Sequence, residues 1–248
     1  MAGYAGGISG GWSYGFTHGY FWGWEWVPDK VPQDDAGSAS STVVYPRDPN
    51  EKAGPIGIGE VHAVNPAEPL HYTIYFENVS TAEAPAQEVF VIDNLDSDLD
   101  WSTLNLTEIA FGDRIIAIPD QTDQFYSRET VLDYREGVDQ TWWVDITIEV
   151  DVQTGKLSAT FRTLDPATEE LPEDPFAGFL PPNNETGRGE GHISFSIQPN
   201  TDRPFRTEVI NAASIVFDTN DPILTNNVLN TLGLYQVFFP TVSNSAGQ

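Results

Sequence analysis

The residues of this 248-residue chain best suited to chemistry carry oxygen and fall into two clusters. Asp93, Asp96, Asp98 and Asp100 place four carboxylates within eight residues. Asp218, Asn220 and Asp221 stand at the end of an apolar run, with Pro222 behind them. Hard oxygen ligands at such density suit calcium. The spacing of Asp96, Asp98 and Asp100 imitates the start of an EF-hand loop. Trp101 then occupies the glycine position and Thr107 the place of the bidentate glutamate, so an EF-hand is excluded. Calcium loops of another kind and plain solvated acidic turns both stay open, and the second cluster also reads as an Asx-turn ending a strand. Little else points to reactivity. His18, His62, His71 and His192 are dispersed, without a metal-binding pair or a triad context. Ser80, Ser194 and Ser196 lack a nucleophile elbow, and no carboxylate pair is singled out for glycoside hydrolysis. The chain reads as a non-enzyme.

Composition narrows the partners. Asp and Glu number 37 against 11 Lys and Arg, a net charge of −26. Such a surface repels nucleic acid and anionic membranes. No run of 18 or more apolar residues suggests membrane insertion. There is no cysteine, so disulfides are excluded as staples. The start of the chain lacks the basic and apolar regions of a signal peptide, which implies a leader already removed or a piece of a longer chain.

The elements that must position these residues are strands. Leu70, Tyr72, Ile74 and Phe76 alternate with polar or half-polar residues, as do Val144, Ile146, Ile148 and Val150. That period predicts half-buried strands. Gln153-Thr154-Gly155 supplies a turn into Leu157, Ala159 and Phe161, which predicts a β-hairpin. Ile193, Phe195 and Ile197 make another strand, and further strands are expected over 88–92, 114–118, 124–132 and 207–217. No helical period appears. Many short strands separated by turn signals predict an all-β antiparallel sandwich of immunoglobulin-like type, with Tyr72, Ile74, Phe76, Val144, Ile146, Ile148, Phe161, Phe195 and Ile215 inward. The segment Asp165–Gly191, with five prolines and four glycines, is expected to be a functional or mobile loop, or a surface loop covering a sheet edge.

Four motifs in order resemble a bacterial surface-repeat domain of planctomycete or cyanobacterial type. Arg47-Asp48-Pro49-Asn50-Glu51-Lys52 is similar to its DPNDK opening. Leu70 to Asn78 resembles its YTIxFEN strand, Ile92 to Trp101 its DxLDxxLDW segment, and Ala213 to Ile223 its closing IVFDxNxPI strand. The resemblance covers about residues 47–232. It implies an immunoglobulin-like module of very large secreted proteins, extracellular or at the cell surface, in a stalk or adhesive role without assigned catalysis. Asp218 to Pro222 also resembles the cadherin linker motif, less one residue, which implies calcium there.

The first 46 residues lie outside that resemblance. Every even position from 12 to 26 is aromatic: Trp12, Tyr14, Phe16, His18, Tyr20, Trp22, Trp24 and Trp26. The odd positions are mostly small. On one continuous strand, roughly 50 Å long, these rings would share a side. Residues 1–27 therefore read as an aromatic arm, 28–46 as a flexible linker, 47–232 as the body and 233–248 as an apolar tail strand. Three roles compete for the arm: a first strand of its own body, an exposed platform for surface glycans, and a donor strand buried in a neighbouring copy. The linker gives reach, so the expected role is the last. The even-numbered rings would then form a subunit interface that propagates copies of the chain into a filament, with Tyr235–Phe239 sealing the joint. The remaining reading is a calcium-stabilised adhesive or carbohydrate-binding module.

Overall fold

A computed structural model of the protein describes residues 4–8, 16–22, 25–28, 49–119 and 124–233. The chain divides into two compact units, Met1–Pro46 and Arg47–Gln248. No helix occurs among the described residues.

The first unit contains β1 (Tyr4–Ile8), β2 (Phe16–Trp22) and β3 (Glu25–Pro28), an antiparallel sheet in the order β1-β2-β3. The expected single long strand is thus two strands that reverse between Trp22 and Glu25. Tyr20 pairs with Val27, Phe21 with Trp26 and Trp22 with Glu25. Trp26 therefore shares a register position with Phe21 and not with the even-numbered set. Trp12, Tyr14, Trp24, the linker after Pro28 and the tail after Gly233 lie outside the described residues.

The second unit is an antiparallel sandwich. In chain order its strands are β4 (Lys52–Ala53), β5 (Ala63–Val64), β6 (Leu70–Glu77), β7 (Glu88–Asn94), β8 (Leu99–Phe111), β9 (Arg114–Ile116), β10 (Gln124–Leu132), β11 (Thr141–Asp151), β12 (Lys156–Leu164), β13 (Glu190–Pro199), β14 (Glu208–Asn211), β15 (Ala213–Phe217), β16 (Ile223–Leu224) and β17 (Val228–Leu232). One sheet runs β10-β11-β12-β7-β15-β16 and the other β4-β6-β13-β8-β9. A small third sheet, β14-β17-β5, includes a parallel pairing of β5 with β17. Two facing sheets with sequence-distant neighbours side by side make this an immunoglobulin-like β-sandwich.

The alternating residues build the core as their period requires. All nine residues expected to point inward are buried. Phe76, Phe161, Phe111 and Phe179 form an aromatic cluster, with Phe161 and Phe179 stacked at 5.8 Å. The hairpin β11–β12 turns where expected: the Asp151 carboxylate accepts from Gln153 N and Thr154 Oγ1, and Gly155 takes φ +70°. A Cβ on Gly155 would stand 2.3 Å from the Trp101 ring, so the tight turn and the close packing both need glycine.

Two features depart from expectation. Strand β8 covers the end of the acidic cluster, and its pairing with β13 shifts register between Ser194 and Phe195 and again between Ser196 and Gln198. Such bulges break the period that reveals a strand. The loop 165–191 is not a surface cover alone: Ala177, Phe179 and Leu180 are buried in the core, and Leu180 bridges to Ala86.

Candidate functional site

Among the buried polar residues of the sandwich, Lys52, Asp93 and Asn211 stand out. Strand β7 turns Val89, Val91 and Asp93 inward, so the carboxylate of Asp93 takes the place of a core aliphatic. Lys52 on β4 belongs to the opposite sheet and is 1% exposed. Its ammonium nitrogen contacts Asp93 Oδ2 directly. Asn211 ends β14, and the alternation Val209, Asn211, Ala213, Ile215, Phe217 runs unbroken into β15 with every member buried.

These three are far apart in the chain, and strand pairing and hydrogen bonds draw their segments together. Ala213 is the register partner of Asp93. Asn211 lies two residues before Ala213 and is buried like it, so chain continuity carries it towards the Asp93 end of β7. Asp96 Oδ2 accepts from Ile210 N at 2.8 Å and holds that segment beside the end of β7. On the other side, Lys52 N donates to Asn226 Oδ1 and Asn226 Nδ2 donates back to Lys52 O. Asn226 lies two residues before Val228, the register partner of Asn211. Gly54 completes the approach, for a Cβ there would meet Val228 at 2.5 Å and Tyr72 at 2.9 Å.

The surroundings are apolar and aromatic. Lys52 Nζ lies 4.9 Å from the centre of the Tyr72 ring and 5.4 Å from that of Phe195. Burial lowers the Lys52 pKa to about 8 against the opposing pull of Asp93. Burial raises that of Asp93, against Lys52. Both shifts favour a neutral amine beside a neutral acid. Several polar atoms here have no hydrogen-bond partner: Asp93 Oδ1, Tyr72 Oη, and both side-chain atoms of Asn211. Buried polar groups are ordinarily paired, so this concentration of orphans marks the centre as chemically unusual.

The other residues singled out in the sequence are not gathered around it. Asp96 Oδ1 accepts from Asp98 N, and Asp100 Oδ1 from Ser102 N and Oγ. Asp98 pairs with Arg203 at 2.8 Å. Asp218 Oδ1 accepts from Gln87 N and Glu88 N, while Asn220 and Asp221 face solvent. Most of these side chains cap turns or tie loops, and no group of three or more His, Asp or Glu suited to a metal ion occurs among the described residues. Of the expected interface residues, Phe16, His18, Tyr20 and Trp22 lie on β2 and Trp26 on β3.

A surface cleft of about 520 Å³ opens elsewhere, between Phe111–Arg114, Val131–Tyr134 and the 178–188 segment. Arg188 stacks over Tyr134 at 5.5 Å on its rim. Asp133 at its edge is held down to about 2 by hydrogen bonds from the Arg135 guanidinium, with Trp142 Nε1 donating as well.

Lys52 and Asn211 both escaped the sequence reading, and Asp93 was grouped with its acidic neighbours. The usable signal was parity. Asp93 continues the inward set of Val89 and Val91, and Asn211 that of Ala213 and Ile215.

A family profile matches residues 48–133 and 176–231, more than half of the chain. The chain belongs to the DUF7619 family, a domain of unknown function. Both matched segments of the DUF7619 domain enter the buried centre, the first with Lys52 and Asp93 and the second with Asn211. No curated protein matches the chain in sequence. Among solved structures, domains D2 and D3 of the major pilin SpaD from Corynebacterium diphtheriae are similar at 16% identity, TM-score 0.40, over 73% of this chain. The match spans about half, 51%, of that two-domain chain. The collagen-binding domain of a Staphylococcus aureus adhesin is similar at 12% identity, TM-score 0.38, over 77% of this chain and 100% of that one. The collagen-binding subdomain of the Enterococcus faecalis surface protein ACE follows at 7%, TM-score 0.35, over 77% and 100%.

Proposed function

We propose that this DUF7619 protein is a non-enzymatic structural component of an extracellular surface, whose sandwich is a rigid body and whose copies join through the aromatic N-terminal unit. The observation that carries the reading is the separate small sheet β1–β3. Its three strands hold Tyr4, Ile8, Phe16, Tyr20, Phe21, Trp22, Trp26 and Val27, with Glu25 as the single charged residue. A unit of this size cannot build a core that covers both faces of an aromatic sheet, so the sheet is stable only against something else. Its outer strands β1 and β3 offer edges to which a further strand can add.

Pairing the β1 edge of one copy with the β3 edge of the next is head-to-tail and propagates into a filament unless the rotation closes a ring. This replaces insertion of one long strand by growth of a shared sheet. The acidic bodies then lie along the outside. The resemblance to secreted surface-repeat domains supports the extracellular setting.

Sedimentation velocity of the full chain beside residues 47–248 tests the reading. The full chain should associate as its concentration rises, and the shorter one should stay monomeric with an unchanged circular dichroism spectrum. A monomeric full chain, or a shorter chain that associates equally well, contradicts the proposal. Loss of folding on truncation would assign the sheet to the protein's own body instead.

A further inference from the structure

We propose that the folded protein joins Lys52 to Asn211 through an amide bond between Nζ and Cγ, with Asp93 carrying the proton between them. The placement is the first support. Lys52 Nζ lies on Asp93, and the buried Asn211 stands two residues before Ala213, the register partner of Asp93. Asn226, two residues before the strand that pairs with Asn211, clamps the Lys52 backbone.

The second support is the set of orphaned atoms. Asn211 is 1% exposed and neither atom of its carboxamide has a partner. A primary amide buried in this way is destabilising as it stands, since a lost hydrogen bond leaves its desolvation uncompensated. It is also an electrophile presented to an amine in a water-excluded site. The burial that favours the neutral amine raises the nucleophilicity of Lys52, and the same burial favours the protonated form of Asp93.

The step balances without any other reactant. The Nζ lone pair attacks Asn211 Cγ, and the Asp93 proton stabilises the developing oxyanion. Asp93 then takes a proton from Nζ and delivers one to Nδ2. The Cγ–Nδ2 bond breaks, ammonia leaves, and Asp93 ends with the proton it began with. Nothing is oxidised or reduced. Holding amine, amide and acid together makes the reaction intramolecular, which is where its rate arises.

The bond would run between the sheets, from the first strand of the body to the segment entering β15. A chain with no cysteine would thereby carry a covalent staple.

Peptide mapping of the intact native protein decides the matter. Trypsin cuts after Arg47, Arg114 and Arg206, and no Lys or Arg follows Arg206. The expected product is peptide 48–114, uncut at Lys52, joined to peptide 207–248, with a summed mass short by one ammonia. Separate peptides with cleavage after Lys52 overturn the proposal. A single internally looped 48–114 peptide, short by one water, overturns the assignment to Asn211 and makes Asp93 the partner. In Asp93→Asn, folded by circular dichroism, the two peptides should come apart. A joined product in that variant contradicts the proton-carrying role of Asp93.

Discussion

Asn211 gives the sharpest contrast in sign. If its carboxamide is merely buried and unpartnered, Asn211→Ala removes an unsatisfied group and leaves stability level or higher. If it is joined to Lys52, the same change removes a cross-link closing a loop of about 160 residues, about 5 kcal/mol in the chain-entropy treatment or roughly 10–20 °C in Tm for a domain of this size. Thermal melting is expected to show the drop. Asp133 sets a different dependence. Hydrogen bonds from Arg135 lower its pKa from 3.8 to about 2 in the folded state. Its stabilising contribution is therefore complete above the unfolded value and is lost as pH falls through about 2. Tm of Asp133→Asn should differ from that of the native protein above pH 4, with the gap narrowing towards pH 2; a gap independent of pH would sink this assignment. At this scale the sequence showed where carboxylates are dense but not which one is buried. Asp93 and Asp96 are three residues apart, yet one faces the core and the other caps a turn. Only the parity of the strand separates them.

The elements were legible where their period is clean. Strands β6, β11, β12 and β13 alternate without interruption, and each was placed from its apolar residues alone. Strand β8 was missed because its two register shifts against β13 move the inward set, so Leu104 and Leu106 fall out of step with Ile109 and Phe111. The aromatic arm misled for the opposite reason. Its even-numbered pattern continues to Trp26, although β2 and β3 are antiparallel and pair Phe21 with Trp26. The proline-rich segment 165–191 carried turn signals that hid a short core insertion. Phe179 stacks on Phe161 and meets Phe111 edge-on, so this segment is part of the core. Phe179→Ala is expected to lower unfolding free energy by about 3–5 kcal/mol, as for other buried aromatics cut to alanine. Chemical denaturation checks it, and a loss below about 1 kcal/mol would show the segment to be a surface cover.

For the whole molecule, the strands nearest the ends of the body matter most. Lys52 lies near its beginning and Asn211 near its end, so a bond between them would leave most of the body inside a covalently closed loop. Tension applied at the two ends would then bypass the strands between, a property suited to a structural chain. The net charge of −26 acts between copies. Raising salt from about 0.01 M to 0.15 M shortens the screening length from about 30 Å to 8 Å. Association of the full chain is therefore expected to strengthen with salt in sedimentation, whereas joints held by ion pairs would weaken. The fold class was legible from composition and period, because it depends on patterns spread over many residues. The buried centre was not, because it depends on three residues far apart in the chain. The most direct measurement of the structural role is electron microscopy of the purified full-length protein at physiological salt. Filaments with globular bodies along their outside are expected; uniform single particles at every concentration would contradict it.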